Sequence, residues 1–131
     1  MIFDPNTLEQ SEIYKLLTGS IMPRPIGWVS TVDEKGINNL APFSYFNMVG
    51  DDPPHLMFST RRDNDTNKDT LNNILTNKQF VVNMVTEEVV EKMNETSQKV
   101  AAHIDEFQLV GVTPVASLKI KPMRVQESLV N

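Results

Sequence analysis

The chain has 131 residues, 40% of them apolar, and a formal net charge of −5. That length supports one domain with a modest core, and the acidic balance, with no basic stripe against it, argues against binding nucleic acid or an anionic membrane through phosphate contacts. There is no cysteine, which removes disulfides, thiolate nucleophiles, zinc fingers and cysteine-held iron–sulfur clusters.

The N-terminal MIFDPNTLEQ has neither the basic nor the apolar region of a signal peptide, and no apolar run approaches the ~20 residues that cross a bilayer. A cytoplasmic protein is expected. An amphipathic helix is predicted over 10–18, with Ile13, Leu16 and Leu17 on one face and Gly19 as its stop. Pro23 and Pro25 force extended backbone. A strand follows from Ile26 to Val32, then a hairpin loop at Asp33-Glu34-Lys35-Gly36 with Gly36 left-handed. The return strand, 37–46, should be broken or bulged near Pro42, which has no N–H for a ladder.

Asp51 to Pro54 reads as a turn and His55 to Thr60 as a third strand, with Leu56 and Phe58 facing one way. A polar loop is predicted over 61–67. A helix over Asp69 to Asn77 places Leu71, Ile74 and Leu75 on its buried stripe and Asp69 at its N-cap. Phe80 to Val85 is an apolar run broken only by Asn83, the clearest strand in the chain. Thr86 caps a second helix over 87–98. Residues 105–116 look irregular, and Leu118 to Val130 starts an extended stretch. Strands dominate and helices fill the long connections, so a small β-barrel with appended helices is expected, not a Rossmann sheet.

Four strings, PRPIGWVST (23–31), NLAPFSYF (39–46), DDPPHLMFSTRR (51–62) and KDTLNNI (68–74), carry a likeness in this order. They resemble the flavin reductase-like family of FMN-binding split barrels. The resemblance implies a mainly β fold, a split β-barrel with two or three connecting helices, forming a single domain over 1–131. Proteins resembling this one continue past residue 131 and use later strands to close the barrel. An incomplete C-terminus is therefore expected, with open sheet edges that a partner or dimer would cover.

The same resemblance implies an FMN cofactor, hydride transfer from NAD(P)H onto flavin, and electrons passed to a flavin or other acceptor. The alternative is a non-enzymatic FMN-binding electron carrier of the same fold. Small-molecule flavin and nicotinamide are the expected partners, with a homodimer whose interface holds the flavin.

An acidic protein that holds a phosphate dianion must gather cations and amides around it. Arg24, Arg61, Arg62 and Lys68 are the candidates, Arg offering a planar fork and Lys a point charge. The helix start at Lys68, Asp69 and Thr70 adds unpaired amides. Ser30, Thr31, Ser44, Ser59 and Thr60 are candidate hydroxyl donors. By resemblance, Asn39, Leu40, Ala41, Pro42 and Ser44 cradle the ring system, mostly through backbone amides. Trp28 and Tyr45 could stack on a ring or fill a core, whereas Phe58 and Phe80 are expected in the core. No side chain is required as a catalytic acid or base.

His55 and His103 have no metal-ligand spacing, and no GxSxG elbow supports a hydrolytic triad. Asp63, Asp65 and Asn67 mimic the opening of a calcium loop, but Lys68 and Ile74 stand where glycine and glutamate are required. No GxGxxG or Walker motif is present, so a nicotinamide cofactor would dock transiently.

Overall fold

The computed structural model describes residues 2–60 and 66–131. Helix α1 (Gln10–Ser20) precedes strand β1 (Gly27–Val32), which lies centrally in a three-stranded antiparallel sheet. Its neighbours are β2 (Asn38–Phe43) and β5 (Val81–Met84). Every residue of β1 is buried, as a strand covered on both faces requires. Gly27 is needed at its start: a Cβ there would lie 2.9 Å from the Phe46 ring. Between β1 and β2, Asp33 Oδ1 accepts from the amides of Lys35 and Ile37, both at 2.8 Å, and Gly36 takes φ +85°.

The second strand runs through Pro42, which pairs with Trp28 in register. The expected break near Pro42 falls instead at Ser44 and Tyr45, before β3 (Phe46–Asp51). The reason is orientation. Leu40 N–H points away from β1, toward Glu106, and the alternation of an antiparallel strand turns Pro42 outward as well. Its missing N–H therefore costs no ladder bond.

Strands β3 and β4 (Pro54–Phe58) form a separate hairpin whose Met48, Val49, Leu56 and Met57 are exposed. Phe58 joins Phe43 and Phe80, with ring centroids at 4.9 and 5.1 Å, in a cluster apart from the main core. That core gathers Trp28, Leu40, Val89, Met93, Phe107, Val110, Val112 and Val125. Trp28, left open by the sequence, is thus a core residue, its indole Nε1 donating to Thr96 Oγ1 at 2.9 Å.

Helix α2 spans Asp69–Asn77 as expected, but its residue before the first turn is Lys68, not Asp69. Its buried residues are Thr70 and Asn73, while Leu75 is 54% exposed. Leu71 and Ile74 are half-buried, and polar clamps hold the same helix: Asn73 Nδ2 donates to Thr31 Oγ1 at 3.0 Å and Asn77 Nδ2 to the Val32 carbonyl at 2.7 Å. On α1 the expected apolar face is likewise not buried, and Leu17 is exposed.

The helix expected over 87–98 is a 3₁₀ turn at Glu87–Val89 followed by α3 (Val90–Glu95). Helix α4 (Glu106–Val110) occupies sequence expected to be irregular. Asp105 Oδ1 accepts from the Phe107 amide at its start and Gly111, at φ +64°, ends it. The predicted extended stretch from Leu118 contains only β7 (Arg124–Val125), paired with β6 (Pro114–Val115). Asn83 ties these parts together, donating to the Trp28 carbonyl at 3.0 Å while its Oδ1 accepts from the Val125 amide at 2.9 Å. Among the described residues, no helix is long and apolar enough to cross a membrane.

Candidate functional site

Three elements converge on the outer side of β2 and enclose a cleft of about 350 Å³. Helix α2 brings its first turn there because Asn39, on β2, donates from Nδ2 to Thr70 Oγ1 at 3.2 Å. Helix α4 grips the free edge of β2 twice. Asp105 Oδ2 accepts from Asn38 Nδ2 at 3.0 Å, and Glu106 Oε2 accepts from the Leu40 amide at 3.1 Å. The end of α3 closes the third side, fixed by the bond from Trp28 to Thr96.

Asn39, Ala41 and Pro42 line the cleft beside Lys68, Asp69 and Thr70, and Thr96 to Val100 line it from the end of α3. The α2 terminus opens into this space. Lys68, at its N-cap, makes no side-chain capping bond, and its carbonyl accepts from the amides of Leu71 and Asn72. The first turn of a helix presents N–H groups and the positive end of the helix dipole, which favour an anion.

The charges in the cleft are mixed. Lys68 and Lys99 line it, and so do Asp69 and Glu106. Burial pushes the Glu106 carboxyl above the usual carboxylate range, the Leu40 amide opposes that shift, and repulsion from Asp69 and Asp105 reinforces it.

Of the residues that the sequence nominated, Asn39, Ala41, Pro42, Lys68, Asp69 and Thr70 come together here. Arg24 does not. It lines a separate, open hollow with Met22, Pro23, Ile26 and Ser44, and its Nη1 donates to the carbonyls of Thr18 and Ile21 at 2.8 and 3.1 Å. Those are carbonyls at the C-terminal end of α1, where a cation is favoured, so Arg24 caps a helix. Arg24 and Ser44 therefore share one concavity and Lys68 another.

Ser30 and Thr31 do not line the cleft. Both are fully buried in β1, the Ser30 hydroxyl donating to the Met123 carbonyl at 2.6 Å and Thr31 Oγ1 accepting from Asn73. Leu40 is corrected: its side chain is in the core and its amide is taken by Glu106, so it offers no free donor. Ser59 is exposed, its amide bonded to the Tyr45 carbonyl at 2.9 Å, and it is not among the cleft-lining residues. Arg61 and Arg62, with the calcium-like Asp63 and Asp65, lie outside the described residues.

Sequence reasoning missed Glu106 and the wall from Thr96 to Val100. The signal for Glu106 was present: Asp105 and Gly111 bracket EFQLV as a capping residue and a left-handed stop. Nothing local marks Thr96, whose role comes from a contact 68 residues away.

Comparison with solved structures places the fold. Nitrilotriacetate monooxygenase component B from Bacillus cereus superimposes with a TM-score of 0.94 at 38% identity, covering 98% of this chain and 63% of that one. The 2-nitrobenzoate 2-nitroreductase NbaA of Pseudomonas fluorescens gives 0.85 at 35% identity, covering 98% and 61%. A split-barrel-domain protein from Shewanella frigidimarina gives 0.80 at 24% identity, covering 98% and 64%, and speaks to the fold alone. The chain spans about three-fifths of the length of the curated relatives it matches in Aquifex aeolicus, Bacillus subtilis and Halalkalibacterium halodurans. The architecture is thus mainly β, of the split-barrel type with connecting helices. Residues 18–131 match the flavin reductase like domain, and the chain belongs to that family.

Proposed function

We infer that the chain binds FMN with its phosphate in the Lys68 cleft and works as an NAD(P)H-dependent flavin reductase-like oxidoreductase. The observation that carries this reading is the start of α2, opening beside Lys68 onto a floor made by β2. The donor set fits a phosphate: helix amides, one flexible ammonium and the polar side chains of Asn39 and Thr70. When bound, FMN supplies the two-electron chemistry that no side chain here has, accepting hydride from NAD(P)H and yielding electrons to a flavin or other acceptor.

The protein's part is placement. Lys68 contributes a point charge and the amides of Asp69 and Thr70 a fixed dipole. Ala41 and Pro42 lie on the outer strand β2, held in position by Glu106 and Asp105. Alignment of this kind lowers a barrier without any acid or base.

Replacing Lys68 with Ala should weaken FMN binding roughly tenfold, as expected for one exposed charge-assisted contact. Riboflavin, which lacks the phosphate, should bind as before. Equal losses for both would remove Lys68 from the phosphate site. Anaerobic addition of NADH or NADPH should bleach the bound flavin; an unbleached spectrum with both would leave an electron carrier. The proposed assembly is a homodimer, supported by the exposed apolar side chains of the β3–β4 hairpin. Light scattering should give twice the chain mass, and a monomer at all concentrations would end that part.

A further inference from the structure

A wall built for a phosphate gains nothing from a buried carboxylate, yet this cleft has one. Glu106 is only 7% exposed and lines the same space as Lys68. Its Oε2 is committed to the Leu40 amide, so the side chain cannot swing away without breaking the hold on β2.

We propose that Glu106 sets the cleft's selectivity for phosphate charge: the phosphate enters against a protonated Glu106, with one proton taken from solvent as it binds. This rests on the reading of the Lys68 cleft as the phosphate site. The acidic groups around Glu106 support it, whereas the lysines that line the cleft favour the ionised carboxylate. Among the described residues, α2 contributes Lys68 and Asp69, the segment after α3 contributes Lys99, and α4 itself contributes Asp105. Strand β2 offers only the uncharged Asn39 and the Leu40 amide.

Burial holds the Glu106 carboxyl high, against the Leu40 amide, and Asp69 and Asp105 add their repulsion. A phosphate dianion in the cleft pushes in the same direction. Because the anion favours the protonated carboxyl, the proton must equally favour the anion. Oε2 can accept from Leu40 in either protonation state, and a protonated carboxyl adds a donor to a site that needs donors.

Isothermal titration of the chain with FMN and with riboflavin, near neutral pH in buffers of different ionisation enthalpy, tests this directly. The wild-type chain should take up as much as about one proton with FMN and none with riboflavin. Glu106→Gln keeps an acceptor for Leu40 and loses the charge. It should take up no proton and bind FMN about fivefold tighter or more, with riboflavin unchanged. No uptake by the wild-type chain overturns the proposal without any variant, and so does a Glu106→Gln chain with wild-type affinity and uptake. If FMN and riboflavin bind equally and Lys68→Ala alters neither, the phosphate cleft itself fails and takes this proposal with it. If Lys68→Ala weakens FMN alone while Glu106→Gln changes nothing, only the role of Glu106 falls.

Discussion

Replacing Thr96 with Val keeps the branched shape of the side chain and removes its hydroxyl. That hydroxyl does two jobs: it accepts from Trp28 Nε1 at 2.9 Å and donates to the Met93 carbonyl at 2.7 Å. Trp28 is 0% exposed and Thr96 3%, so water cannot replace either bond. The Met93 carbonyl keeps a second donor, the Thr96 amide, and loses little. The indole N–H keeps none. A buried donor without a partner costs about 1–3 kcal/mol, and the second bond adds about 1 kcal/mol at most, so a loss of about 1–4 kcal/mol is expected. Thr96→Ser retains the hydroxyl and gives up one buried methyl, about 1 kcal/mol. Urea unfolding followed by the fluorescence of Trp28, the chain's single tryptophan, measures both. If Thr96→Val is no less stable than Thr96→Ser, the hydrogen bond contributes nothing and the account of how α3 is anchored is wrong.

Gly27→Ala should lower the urea midpoint by the equivalent of about 1–3 kcal/mol, because the added methyl meets the Phe46 ring at 2.9 Å; an unchanged midpoint would mean that the hairpin moves freely over β1. The pH dependence of stability should carry a component from Glu106. Its folded-state carboxyl sits above the unfolded value, so the stabilising excess of bound proton is present below about pH 4.3 and is lost as pH rises through the raised folded value. Glu106→Gln should flatten that part of the profile, and an identical slope in the variant would show that Glu106 titrates as in the unfolded chain.

The sheet was legible in the sequence where local chemistry decides it. Ile26 to Val32 and Phe80 to Val85 read as strands, Gly36 as a left-handed turn residue, and Asp69 to Asn77 as a helix with its correct bounds. What failed depended on contacts across the chain. Leu75 looked like part of a buried stripe, but α2 is fastened by Asn73 and Asn77 to β1, a polar attachment that periodicity does not encode. Ser30 and Thr31 carried the right functional groups for a ligand site and turned out to satisfy carbonyl and amide partners inside the molecule. Arg24 had the right charge, yet the end of α1 claims it. The Lys68 turn survived this sorting because a helix start is a local feature, and its amides do not depend on distant residues to be displayed. Asp105 and Gly111 mark the short helix that carries Glu106, but the contact that gives Glu106 its role is not local, since its partner Leu40 is 66 residues earlier.

The outer margin of β2 has a further consequence. At two successive outward positions a visiting strand would find no amide to use: Pro42 has none, and the one on Leu40 is already engaged by a side chain. A polypeptide finds little to zip onto along this margin, where the sheet ends among the described residues. The rim can stand open to small molecules while remaining closed to cross-chain stacking, the usual hazard of an unfinished sheet.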